Sequence, residues 1–289
     1  MNPGLLGLIA AVCWGTGDFA ARYTSRAIGP AQTLLFLSLA TVLVLSPVVM
    51  DRDLDPLWDP TTLMLTVLAG VFTTIAGLML YKSLALGPLG VVVPITSTYP
   101  LPLVLIVILM GELTLSWGLG AAMVAVVGGV WVVARAGHKT DYDEHHALGS
   151  LKKSMLLAGA TALVFPLAML ITEAAVSRAG EVEVIWFSRI IETVLLALII
   201  FPRKKFTPLS ARMLGLLAVL GLIDTIGFVA LFTAQGTGDT AIAAVASATY
   251  GLVTVVLARV FLKEPVKPAQ WLGFMVVVVG AATLTLLSA

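Results

Sequence analysis

Residues 89–110 read Leu89-Gly-Val-Val-Val-Pro94-Ile-Thr-Ser97-Thr-Tyr99-Pro100-Leu-Pro102-Leu-Val-Leu-Ile-Val-Ile-Leu-Met110. The run carries no charge. At about 1.5 Å per residue it is long enough, as a helix, to cross a hydrocarbon layer about 30 Å thick. Strands of a membrane barrel would show short alternating segments instead. Nine other stretches resemble it, so the same reading extends to the whole chain. They run roughly over Gly4–Arg22, Pro30–Met50, Thr61–Leu84, Trp117–Ala134, Ser154–Ala175, Val182–Phe201, Ala211–Ala234, Thr240–Leu262 and Pro268–Leu287. Ten spans predict an all-α integral membrane protein with ten transmembrane helices.

Composition agrees with that reading. The 289 residues are 59% hydrophobic and only 11% charged, with a mean hydropathy of +1.04. A soluble domain carries about 25% charged residues, so a soluble enzyme, a disordered chain and a basic nucleic-acid binder are all excluded. The formal net charge of +1 points to no nucleic-acid partner. The single cysteine, Cys13, allows neither a disulfide framework nor a cysteine metal site. Trp14 and Asp18 inside the first run, with no basic start before it, argue against a cleaved signal peptide.

Tight turns such as Gly87-Pro88-Leu89-Gly90 and Lys263-Glu264-Pro265-Val266 link most spans. One long polar stretch stands apart, residues 135–153, and it holds all three histidines, His138, His145 and His146. It reads as a solvated linker and not as a metal site. Loops after the odd-numbered spans carry Arg22, Arg26, Arg135, Lys139, Lys152, Lys153, Arg203, Lys204, Lys205, Arg212, Lys263 and Lys267, whereas those after the even-numbered spans carry Arg52 and Arg178. The positive-inside rule then places the basic loops in the cytoplasm and both termini outside, in a multi-pass protein of the bacterial inner membrane.

The chain also repeats itself. Ser25-Arg26-Ala27-Ile28-Gly29 returns as Ser177-Arg178-Ala179-Gly180, Thr98-Tyr99 as Thr249-Tyr250, Gly111-Glu112 as Lys263-Glu264, and Leu119-Gly120 as Leu272-Gly273, at shifts of 151 to 153 residues. The predicted units are residues 1–135, a linker at 136–153, and residues 154–289. Five spans per unit force opposite orientations. Inverted repeats of this kind place a binding site near the midplane, at the repeat interface, and permit alternating access.

Several short motifs carry a family resemblance. They are Ala11-Val-Cys-Trp14-Gly15, Tyr81-Lys82-Ser-Leu-Ala85-Leu-Gly87, Pro94-Ile-Thr-Ser-Thr-Tyr99-Pro100, Gly111-Glu112 and Gly120…Gly128-Gly129, with echoes in Ala246-Ser-Ala-Thr-Tyr250, Arg259-Val-Phe-Leu-Lys-Glu264 and Gly273…Gly280. Each is loose alone, but their order and doubling are specific. The chain resembles the drug/metabolite transporter superfamily, in its EamA-like branch of ten-span exporters. The resemblance implies export of small metabolites, commonly amino acids or related compounds, through a central cavity. Many such relatives have both termini inside, against the Lys/Arg count here. Tyr250-Gly251 replaces the pattern of Tyr99-Pro100, so the two halves are expected to bend differently.

Charges within a span cost about 2.5–3.5 kcal/mol each on insertion scales and need a reason. Asp18 has Trp14 and Arg22 one turn to either side; it could hold an ammonium against an aromatic wall, or pair with Arg22. Arg189 and Glu192, with Trp186 one turn before, could clamp a zwitterion, or tie span 7 to its neighbours. Asp224 shares a stripe with Phe228, Leu231 and Gln235; it could exchange a proton or act as a hydrogen-bonded tether. Lys82 lies close enough to a span end to snorkel.

Pro94, Pro100 and Pro102 mark a kink or hinge around Ser97 and Tyr99, with Tyr250 as the counterpart in span 9. The glycines Gly120, Gly128, Gly129, Gly273 and Gly280 read as close helix contacts. Glu112 and Glu264 read as capping or interfacial charges. The expected substrate-binding set is therefore Trp14, Asp18, Tyr81, Ser97, Tyr99, Trp186, Arg189, Asp224, Phe228 and Tyr250.

No Gly-rich phosphate loop is present, so transport is expected by facilitated diffusion or by proton coupling, with neither cofactor nor metal, in a monomer surrounded by lipid. A multidrug or lipid-like cargo is the alternative within transport. An integral-membrane lipid enzyme would need a catalytic cluster at headgroup level, which histidines confined to one linker do not supply. A channel is the remaining class.

Overall fold

A computed structural model describes residues 3–111, 114–137, 146–202, 206–235, 247, 249–264 and 266–288. The helices are α1 (Pro3–Ile28), α2 (Pro30–Val49), α3 (Pro60–Leu86), α4 (Leu89–Thr96), α5 (Pro100–Leu109), α6 (Trp117–Gly137), α7 (His146–Ala179), α8 (Glu181–Ile200), α9 (Ala211–Gln235), α10 (Tyr250–Phe261) and α11 (Pro268–Ser288). Among the described residues there is no strand. Six stretches are long and apolar enough to cross a membrane, namely α1, α2, α3, α4 with α5, α7 and α9. Shorter apolar helical stretches cover Trp117–Val133, Tyr250–Phe261 and Pro268–Thr283. The seventh expected span is the helix α8, with Glu181, Glu183, Arg189 and Glu192 along it. Glu112, His138, His145, Lys139 and Arg203–Lys205 lie outside the described residues.

Helix boundaries follow local chemistry. Asp59 caps α3 by accepting from the Thr62 N–H at 3.1 Å, with Pro60 as the first helical residue. That hydrogen bond holds the Asp59 carboxyl below the usual carboxylate range. α2 and α8 are each entered through a glycine in the left-handed region, Gly29 at φ 90° and Gly180 at φ 86°. These two stand 151 positions apart.

The repeat is visible in the packing. α1 packs on α9 as α7 packs on α3, α1 on α10 as α7 on α5, and α2 on α9 as α8 on α3. α2 meets α8, and α6 meets α11, across the same pseudo-two-fold axis. The halves run oppositely. Arg26, near the end of α1, donates to the Ala85 carbonyl at the end of α3, while Ser150 and Ser154, near the start of α7, donate to the Leu86 and Ser83 carbonyls at that same end. Two inverted repeats thus form one body.

Glycines set the closest crossings. A Cβ on Gly70 of α3 would sit 2.8 Å from the Ser188 carbonyl oxygen and 2.8 Å from Ile191 Cβ on α8. Gly221 of α9 meets Leu37 and Ala40 on α2 in the same way. Gly70 and Gly221, Leu37 and Ser188, and Ala40 and Ile191 are all separated by 151 positions. Gly129 and Gly273 bring the α6 and α11 backbones together, each aimed at the other's carbonyl. Gly280 faces α6 in the same interface, but Gly120 and Gly128 face open space, against expectation: a helical step of about 100° per residue turns Gly128 off the contact that Gly129 makes.

The fourth span breaks at Ser97–Tyr99, with Pro94 inside α4, Pro100 opening α5 and Pro102 in its first turn. In the second half α10 begins at Tyr250 after a turn at Thr249, without any proline. Both halves therefore have a helix beginning at or just after the Thr-Tyr pair, and residues 240–246 of the ninth expected span lie outside the described residues.

Candidate functional site

The middle of the helices surrounds a cavity. α1 supplies Trp14 and Asp18, α3 supplies Thr73, Gly77 and Tyr81, and α7 supplies Thr161 and Phe165. Arg189 and Glu192 come from α8, Asp224 and Phe228 from α9, Thr96 and Tyr99 from the broken fourth span, and Tyr250 from α10. Eight of the ten expected substrate-binding residues are thus gathered on one wall or another: Trp14, Asp18, Tyr81, Tyr99, Arg189, Asp224, Phe228 and Tyr250.

The other two lie elsewhere. Trp186 sits nearer the start of α8, where α2, α8 and α9 close on each other through Leu45, Val49, Ile185 and Phe232. Its indole N–H donates to Ser46 Oγ at 3.0 Å, so it serves the frame. Ser97 is buried at the helix break beside Gly251 and does not line the cavity.

The aromatic lining follows the two-fold axis. Trp14 meets Tyr250 edge-on at 6.5 Å, and Phe165 meets Tyr99 edge-on at 5.4 Å. Trp14 and Phe165 are 151 positions apart, as are Tyr99 and Tyr250. Phe165 was missed in the sequence, although the repeat shift from Trp14 leads directly to it. Thr73, which lines the cavity at the position matching Asp224, was missed for the same reason. Tyr250 reaches across the halves, its hydroxyl donating to Thr96 Oγ1 at 3.3 Å. Phe228 lies 5.3 Å from Trp14 and completes the wall.

The charges break that symmetry. Arg189 is buried and pairs twice, through Nη1 to Glu192 Oε2 and through Nη2 to Asp224 Oδ2 at 2.9 Å. The face of its guanidinium lies over Phe228, 4.5 Å from the ring centre. Asp224 is therefore not the lone carboxylate that the sequence suggested, nor a tether through neighbouring hydroxyls; Thr225 forms that tether, with Thr41 at 2.9 Å. Asp18 does not pair with Arg22, which turns away to Glu264. Among the described residues no hydrogen bond or ion pair engages the Asp18 carboxylate, although only 8% of the residue is exposed.

Toward the basic loops the first half of the fourth span is packed inside the protein. Every residue of α4, Leu89–Thr96, is buried, whereas α5 buries only Pro100 and Val104. Below α4, Arg22 ion-pairs with Glu264 and donates to the Gly87 carbonyl at 3.1 Å. The Gly90 N–H lies 3.4 Å from Glu264 Oε2, and Arg259 donates to the Glu264 carbonyl at 3.2 Å. Glu264, expected at an interface with water, is instead 7% exposed and joins α1, the α3–α4 turn and the α10–α11 turn. Lys82 is exposed, consistent with snorkelling.

Known proteins share this architecture. A model of the EamA-like transporter family matches residues 2–135 and again residues 152–286. A protein of Archaeoglobus fulgidus described as an uncharacterized transporter is 25% identical over 285 residues, covering 98% of this chain and 97% of its own. A protein of known crystal structure shares the fold with a TM-score of 0.67 at 17% identity, over 99% of this chain and 97% of the other.

Proposed function

The chain belongs to the EamA-like transporter family and is a multi-pass membrane transporter, and on that premise we propose that it exports small metabolites, amino acids or related compounds, by alternating access of the central cavity. One observation carries the reading: a charged and aromatic cavity stands at mid-depth, where matching positions of two inverted repeats meet. Site, axis and closure then fall into one scheme. The cargo binds among Trp14, Asp18, Tyr81, Tyr99 and Tyr250, and the α4 segment with the Arg22–Glu264 pair seals the basic side. Exchange of that seal for an equivalent one on the opposite side moves the cargo.

The basic loops face the cytoplasm in this proposal, and both termini face outward from the bacterial inner membrane. The protein works as a monomer, since one chain lines the cavity, and without ATP. Movement down a gradient or exchange for protons supplies the drive. The apolar aromatic walls favour a second reading within the same scheme, a broader set of lipophilic cargoes.

Counterflow into proteoliposomes tests the proposal. Vesicles preloaded with one member of a panel of amino acids, amines, nucleosides and polyamines should take up the labelled compound saturably, with preloading accelerating uptake. Linear, unsaturable flux would mark a pore, and absence of flux for every compound would overturn transport of small metabolites.

A further inference from the structure

The transporter reading leaves the chemistry of the cargo open, and the cavity narrows it. Three carboxylates among the described lining residues, Asp18, Glu192 and Asp224, stand against one guanidinium, Arg189. Both terminal nitrogens of Arg189 are engaged by protein carboxylates, and its face is covered by Phe228. A carboxylate on a cargo therefore finds no free cation among the described lining residues, only further negative charge. A carboxylate-to-Arg189 clamp, open on the sequence alone, is closed off by this pairing.

Asp18 is the complementary case. It is buried, lines the cavity, and has no partner among the described residues. An ionised carboxylate in that position lacks the compensation that buried charges ordinarily find in a protein. One turn before it stands Trp14, whose indole N–H is also buried without a hydrogen-bond partner among the described residues. Phe228 and Tyr250 meet Trp14 edge-on, so aromatic rings surround the approach to the carboxylate. A cationic nitrogen with an apolar body satisfies both parts at once, pairing with Asp18 and lying on aromatic faces.

We infer that the cargo is an organic monocation, an ammonium on an apolar or aryl body, held by Asp18 beside Trp14, and that zwitterions are disfavoured. This rests on the transport reading and narrows it, from amino acids to their carboxylate-free amine relatives. Arg189 with Glu192 and Asp224 is then a positioning network: it sets the charge of the wall without touching the cargo.

The test uses two compounds that differ only by a carboxylate, trimethylphenethylammonium and N,N,N-trimethylphenylalanine, with phenylalanine beside them. A permanent charge prevents crossing as a neutral base. In proteoliposomes holding the full chain, the cation should show saturable counterflow at least ten-fold more effective than either zwitterion. The cation should also raise the thermal midpoint of the purified protein where the zwitterions do not. Asp18→Asn should lose the cation's uptake at least ten-fold while melting no lower without ligand, and Asp18→Glu should recover part of the uptake. The wild-type comparison needs no variant to fold.

Zwitterion transport equal to or better than that of the cation overturns the inference and leaves the transporter standing. So does movement of another panel solute without the cation, or undiminished cation uptake by folded Asp18→Asn. Absence of saturable flux for every solute overturns both readings.

Discussion

The two halves of the molecule supply the cavity differently. Trp14 is matched by Phe165, Tyr99 by Tyr250 and Gly70 by Gly221, so rings and close crossings recur on both sides of the axis. At the charged positions the match fails. Asp18 stands opposite Met169, Arg189 opposite Ser38, Glu192 opposite Thr41 and Asp224 opposite Thr73. Shared positions build a frame that can be inverted upon itself; unshared ones make the wall chemically one-sided. The proposed alternating access would use both, a symmetric scaffold for two equivalent closures and an asymmetric site for one cargo.

The largest difference between the halves is expected at Arg189. Arg189→Met leaves Glu192, which has no exposed surface, buried beside Asp224 without a cation. The expected loss is about 3–5 kcal/mol, as for other buried pairs from which one partner is removed. Ser38→Ala at the matching position loses only a hydroxyl bonded back to its own helix and should cost well under that. Thermal unfolding of the two purified variants checks the contrast.

A smaller and symmetric effect is expected at the crossings. Gly70→Val and Gly221→Val each force a branched side chain into a backbone contact, at about 1–3 kcal/mol apiece. The two should fall together in melting temperature; a large loss at one alone would show that the halves do not share a frame.

Trp14→Leu and Phe165→Leu then sharpen the asymmetry. Both remove an aromatic wall, but Asp18 lies on Trp14's helix. Loss of a cation–π contact of about 0.5–2 kcal/mol predicts a cation half-saturation roughly 2–30-fold higher for Trp14→Leu. Phe165→Leu should show the lesser effect in the same counterflow assay.

The smallest effect concerns two matching helix ends. Gly111 after α5 has φ 81°, and Lys263 after α10 has φ 53°. A left-handed non-glycine residue costs about 1–2 kcal/mol, of which glycine's own backbone entropy takes back about 0.5–1 kcal/mol, so Lys263→Gly should raise the melting temperature slightly, and Gly111→Ala should lower it.

Much of the frame could be read before any coordinates. Uncharged runs such as Leu89–Met110 identify spans because a bilayer sets their length. Gly29 and Gly180 betray the repeat because the backbone enters α2 and α8 with a positive φ that favours glycine. Eight of the ten expected substrate-binding residues do line one cavity, since buried charges and aromatics in a span are rarely idle. Pairing was less legible. Nothing along α8 indicates that Arg189 reaches Asp224 thirty-five positions away, or that Trp186, one turn earlier, faces Ser46. Helical spacing suits Arg22 to Asp18, yet a longer reach to Glu264 wins. Period and composition give faces of single helices; which faces meet is set by crossings such as Gly70 on Ser188.

In this protein the buried charges are laid over a frame that stands without them. Thermal unfolding of Arg189→Met alone, against Arg189→Met combined with Glu192→Leu and Asp224→Leu, tests it most directly. Removing a whole buried network in favour of apolar side chains is often neutral or stabilising, whereas removing one partner is not. The triple variant is predicted to melt near or above the wild type, well above the single variant. A triple variant that melts as low as Arg189→Met, or lower, would show that the charges hold the fold, and would contradict the division between frame and site.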